Sequence, residues 1–294
     1  MSMRVNHCGV RAAGALLVAA AMSAAVAGCG DQPQNSAHGA DPGIGHIHGL
    51  GVDPADGAVH VAGHYGLFKV KSGTLAERVA GRVQDHMGFT VTGPRTFLAS
   101  GHPGEAAADA APHLGLIRTT DAGQTWTTVS EGGTADFHAL QPAGETLYAY
   151  DSQSGRLRRS ADGGQTWTQG ADEKVIDLAA GPDEPTTVYA TTPEGLKVSG
   201  NGGMEFDPVA DAPLLSHVDQ PAKGFLVGTG ADGALHTSGD GGKSWRNGGK
   251  LPGSAVAFTA IDTKRLLAAT EDGTVLESKD GGETFATVFR SVNG

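Results

Sequence analysis

Cysteine is almost missing from this chain: Cys8 and Cys29 are the whole supply among 294 residues. Both lie in an N-terminal stretch with the makeup of a targeting segment, so no internal disulfide is expected and the fold must stand on its core. Tryptophan is nearly as scarce, at three residues, and each one closes a copy of a repeated phrase. That position makes it a packing residue rather than a platform for a ligand. Basic residues are also short, 21 against 32 acidic ones, for a formal charge of −11. An acidic surface argues against nucleic acid and anionic lipid as partners. The apolar run at residues 12–27 is too short for a membrane span and has the flanks of a signal peptide, with Arg4 and Arg11 before it.

The run closes on Val26-Ala27-Gly28-Cys29. This small-small-Cys ending resembles the bacterial lipobox, which implies cleavage after residue 28 and lipidation of Cys29. The expected organisation is a signal peptide at 1–28, a lipidated Cys and tether at 29–45, and one domain at 46–294. The tether rests on a stretch rich in Gly, Pro, Asn and Asp. The expected location is extracytoplasmic and membrane-anchored, and the protein is expected to be a monomer.

One octapeptide recurs five times: TTDAGQTW from Thr119, SADGGQTW from Ser160, SGNGGMEF from Ser199, SGDGGKSW from Ser238 and SKDGGETF from Ser278. The third residues are Asp121, Asp162, Asn201, Asp240 and Asp280, a period of about 40 residues. Such a period belongs to stacked four-stranded blades. The third side chain can fold back onto N–H groups of its own turn, and the fifth-position glycine suits a positive φ. The eighth, aromatic residue is expected to be buried between blades. The phrase resembles the Asp-box, or BNR repeat, of sialidases, sortilin-type receptors and photosystem II assembly propellers. That resemblance implies the fold, with the boxes on the face opposite a binding site.

Working back from each phrase, alternating apolar runs give four strands per blade. Blade three, for example, reads as 137–140, 146–150, 155–160 and 166–169. A first blade without the phrase turns at Ser72-Gly73-Thr74. The expected fold is all-β, a six-bladed β-propeller with blades at 46–80, 82–130, 135–170, 174–210, 214–249 and 254–290. Blade two carries an insertion at residues 103–113, PGEAAADAAPH. No terminal strand is expected to be exchanged to close the ring.

Strand polarity places histidines at one face, the mouth where first strands begin and second strands end. His46, His48, His86, His138 and His217 lie near the starts of first strands; His64 and His102 follow second strands, and His113 ends the insertion. His46 and His48 share one side of their strand. His60 and His236 sit within strand bodies. The metal candidates are His46, His48, His64, His86 and His138, for zinc or copper, with carboxylates nearby. Asp85, Asp136 and Asp177 are also candidate catalytic groups, since paired carboxylates serve glycoside hydrolysis. The segment HIHGLGVDP from His46, with HYGLF from His64, resembles bacterial secreted proteins of glycosyl-hydrolase-like type. Sialidases clamp a substrate carboxylate with three arginines, and no convincing triad of that kind is present here. Three readings stand: a binding module for a metal ion or polar ligand, a sialidase-like glycoside hydrolase, and a scaffold propeller with a protein partner.

Overall fold

Among the described residues, alternation of apolar and small side chains produces 24 short strands in six antiparallel sheets, each in simple chain order. The computed structural model describes residues 41–104, 107 and 110–290. The expected signal segment and Cys29 lie outside the described residues. Blade one is β1 (Ile47–Val52), β2 (Val59–Gly63), β3 (Gly66–Ser72) and β4 (Leu75–Arg78). Blade two is β5 (Asp85–Gly93), β6 (Thr96–His102), β7 (Leu116–Thr119) and β8 (Thr127–Ser130). Blade three is β9 (Phe137–Ala143), β10 (Thr146–Asp151), β11 (Arg156–Ser160) and β12 (Thr168–Asp172). Blade four is β13 (Asp177–Ala179), β14 (Val188–Thr192), β15 (Gly195–Ser199) and β16 (Asp207–Pro208). Blade five is β17 (Leu215–Ala222), β18 (Phe225–Gly230), β19 (Ala234–Ser238) and β20 (Arg246–Lys250). Blade six is β21 (Ala255–Ala260), β22 (Leu266–Thr270), β23 (Val275–Ser278) and β24 (Ala286–Phe289). The first strands neighbour one another around a central channel, so the chain is a six-bladed β-propeller.

The ring closes without exchanging a strand among the described residues. Ile47, Val61 and Phe68 of blade one pack into one core with Ala257, Leu267, Val275 and Phe289 of blade six. One backbone bond, Arg290 N–H to Gly73 O at 2.9 Å, pins the outer seam. Residues 41–45, expected in the tether, are docked instead. Arg78 binds the Asp41 carboxylate (2.9 Å) and the Gly43 carbonyl (3.0 Å), while Tyr65 N–H reaches Ile44 O (3.2 Å).

The repeated octapeptide turns the third strand into the fourth. In blade three Asp162 Oδ1 accepts Thr166 N–H (2.9 Å) and Gln165 N–H (3.0 Å), and Oδ2 accepts the Thr166 hydroxyl (2.6 Å). The first-position hydroxyl completes the turn: Ser160 Oγ donates to Asp162 (2.7 Å) and accepts Gly164 N–H (2.8 Å). Gly164 has φ +92°, and a Cβ there would run into Leu116 of the preceding blade. The glycine thus serves both the turn and the close approach of two blades. The eighth residues are only half-buried, contrary to the expectation of burial. The phrase sits at the outer edge of the seam, where Trp167 packs on Phe137 (4.8 Å between ring centres) and donates to Ser130 Oγ (2.9 Å).

Candidate metal centre

Three blades deliver their polar residues to one mouth of the channel. His48 is the second residue of β1, His64 lies in the turn between β2 and β3, and Asp85 opens β5. His102 closes β6 directly opposite Asp85 in the antiparallel register. His113 ends the blade-two insertion and is held by Gly133 N–H donating to its carbonyl (2.8 Å). Asp136 precedes β9, and His138 follows two residues later.

The side chains form a continuous cluster around two buried carboxylates. His64 Nδ1 is 3.0 Å and His102 Nδ1 3.4 Å from Asp85 Oδ2, and His48 Nε2 is 3.7 Å from Asp85 Oδ1. His102 Nε2 is 3.4 Å from Asp136 Oδ2, which also meets His138 Nε2 (2.8 Å) and accepts the Ser152 hydroxyl (2.9 Å). Two sets of three, His48–His64–Asp85 and His102–His113–Asp136, each bring one ligand atom per residue within 4.8 Å of the others. His48 Nε2, Asp85 Oδ1, Asp136 Oδ1 and His113 Nδ1 are buried without a hydrogen-bond partner. Each such atom costs about 1–3 kcal/mol unless something satisfies it. A cation satisfies several at once.

Electrostatics keep His48 and Asp136 in the forms a metal takes. Burial pushes the His48 pKa below its usual value, with Asp85 opposing and the neighbouring histidines reinforcing. A neutral imidazole is the ligand form. Burial alone would raise Asp136, but bonding and charge from His138, with Ser152 and His102, outweigh it and hold the carboxyl below its usual range.

The other sequence candidates lie apart from this cluster. His46 is exposed and belongs to neither set. His86 is fully buried against Trp126 (5.3 Å between ring centres), and desolvation lowers its pKa to about 4. Asp177 lies in the channel wall of blade four, where Leu178 N–H (2.9 Å) and Val218 N–H (3.0 Å) already occupy its oxygens. The second of these bonds joins blade four to blade five. Asp219 makes the same kind of latch to Ala260 N–H in blade six (2.8 Å). His102 and His113 are not among the sequence candidates for metal, although their place at the mouth is legible from strand polarity. What is not legible is that the β5–β6 register sets His102 against Asp85.

Beyond the cluster runs a channel of about 630 Å³, lined by residues of all six first strands. His48 and His138 belong both to its wall and to the cluster, and Asp177, His217 and Asp219 lie further round. The protein is therefore a β-propeller with a histidine–aspartate cluster at one mouth of its channel. No family model matches the chain, and no curated protein matches it. Solved structures share the fold. YCF48 bound to a D1 peptide is 17% identical, over 84% of this chain and 83% of that one, with TM-score 0.50. A chain of the nidogen/laminin complex is 12% identical over 80% and 94%, with TM-score 0.60. A GH74 xyloglucanase from Xanthomonas campestris is 18% identical over 83% and 45%, with TM-score 0.52. The chain thus spans less than half of that xyloglucanase. At such identities the likeness establishes the propeller fold, as the repeated octapeptide implied, and nothing about activity.

Proposed function

We propose that this protein is a lipid-anchored, extracytoplasmic propeller that binds transition-metal ions, zinc or copper, at the histidine-rich mouth of its channel. The observation that carries the reading is the pair His48 Nε2 and Asp85 Oδ1, both buried, both without a hydrogen bond, and 3.7 Å apart. Two orphaned atoms that face each other, with His64 also at the carboxylate, suit a shared cation better than a polar lining. Imidazole with carboxylate is a donor set for zinc and copper. The glycosidase reading has less support: Asp136 is held below the range of an acid catalyst, and Asp177, whose carboxyl burial does raise, has both oxygens engaged by backbone N–H groups of Leu178 and Val218. The anchor reading rests on the Cys29 motif alone.

Protein purified without a His-tag and stripped with chelator tests the metal reading. Zinc or copper should bind in calorimetry and raise the melting temperature, by about 2.7 kcal/mol of stability at a hundredfold excess over Kd. A His48→Ala, His64→Ala variant should lose at least part of that response, and His236→Ala should keep it all. Equal responses in both variants would leave the cluster as a hydrogen-bonded lining.

A further inference from the structure

Given metal binding at the mouth, on which this inference rests, the distances around His102 say how many ions the mouth holds. Two ligand atoms each about 2.1 Å from a tetrahedral ion lie about 3.4 Å apart. His102 Nε2 stands 3.4 Å from Asp136 Oδ2, the separation of two ligands of one ion. His113 completes that set, and Asp136, only 2% exposed, keeps Oδ1 without a partner. The other set has its own carboxylate, Asp85, 8% exposed, again with Oδ1 unpartnered and turned toward His48. Neither set borrows a residue from the other.

His102 nevertheless touches both. Its Nδ1 is 3.4 Å from Asp85 Oδ2. A neutral ring that ligates through Nε2 carries its remaining proton on Nδ1, the atom that faces Asp85. Metal-bound histidines commonly donate that second N–H to a carboxylate, which fixes the ring and sharpens the ligand. Here the receiving carboxylate is itself a ligand of the neighbouring set.

We propose that the mouth holds two transition-metal ions, one on His48, His64 and Asp85, the other on His102, His113 and Asp136. His102 links them, with Nε2 on the second ion and Nδ1–H donated to the carboxylate of the first. Each ion has three protein ligands, which leaves a position for water or an outside ligand, as in open zinc sites. Because one ring positions both, loading either site tightens the other by the same factor.

The test uses the untagged, chelator-stripped protein and zinc alone. Zinc retained after dialysis is counted by elemental analysis, and affinity is measured by titration. Two ions should bind the wild type, and one should remain in His64→Ala and one in His113→Ala. His102→Leu, which has no donor, should also keep one, bound about tenfold more weakly than the ion kept by His113→Ala, because only the former loses the N–H to Asp85. A single zinc in the wild type overturns the two-ion centre, and this count needs no variant to fold. Equal affinities in His102→Leu and His113→Ala, with both folded by melting temperature, overturn the link. No zinc at all would instead defeat the metal-binding reading beneath it.

Discussion

Asp162 and Trp167 divide the labour of one repeated turn. The carboxylate is solvent-exposed, yet the Thr166 hydroxyl, the Thr166 N–H and the Ser160 hydroxyl lower its pKa to about 2. A lowered carboxyl contributes stability above its unfolded pKa and loses it as pH falls toward the folded value. The contribution of Asp162 is therefore present above about pH 4 and lost between there and about pH 2. Asp162→Ala should lower the melting temperature at pH 7, and the gap from wild type should close near pH 2. A gap unchanged between those pH values would mean the carboxylate charge does not hold the turn. Trp167→Ala should cost more, about 2–3 kcal/mol, somewhat below the about 3–5 typical of a fully buried aromatic. Denaturant unfolding measures it, and a loss under about 1 kcal/mol would remove the indole from the seam's main supports.

At the scale of the elements, adjacent blades are tied by side chains across their boundary. Asp53 Oδ1 accepts Arg95 N–H (2.9 Å), Ser100 Oγ accepts Phe137 N–H (3.0 Å), and Asp177 and Asp219 continue the series. Burial raises the Asp177 carboxyl to about 7 against the two N–H bonds, and raises Asp219 to about 6, with Asp177 adding repulsion. A raised carboxyl stabilises below its unfolded pKa and loses that contribution as pH climbs through the folded value. The window for Asp177 runs from about pH 4 to about pH 7. Asp177→Asn cannot ionise, but it surrenders one N–H acceptor. It should be clearly less stable than wild type at pH 5 and close the difference by pH 8. Thermal melts at the two pH values decide it; a constant difference would mean that Asp177 stays ionised throughout.

At the scale of the molecule, metal affinity should fall as pH drops from about 7 to 5, because a proton and a metal ion compete for the same imidazole nitrogen. Calorimetry with zinc at both pH values checks this, and a pH-independent affinity would point away from histidine ligands. In the cell, Cys29→Ser should abolish detergent-phase partitioning of the signal-cleaved form. Unchanged partitioning of a cleaved protein would remove the lipid anchor from the proposal.

The blades are open to view in one dimension because the turn that separates them is local. Asp162, Gly164 and Trp167 fall within six residues, and the bonds of Asp162 reach no further than Thr166. Any chain that repeats such a phrase every 40 residues or so repeats a blade. The mouth also follows from strand polarity, which needs only the order of the strands. Which histidines meet there does not follow. His86 and His102 are paired neighbours of Gly101 and Asp85 on the same hairpin, yet one points into the seam beside Trp126 and the other onto two carboxylates. Asp136 and Asp177 hold similar places at the starts of successive blades, yet one meets histidines and the other backbone N–H groups. Local hydrogen bonding determined the repeat, and so the sequence alone determined the fold. The cluster depends on register and on packing between blades one, two and three, contacts 34 and 37 residues apart, and only the closed ring decides those.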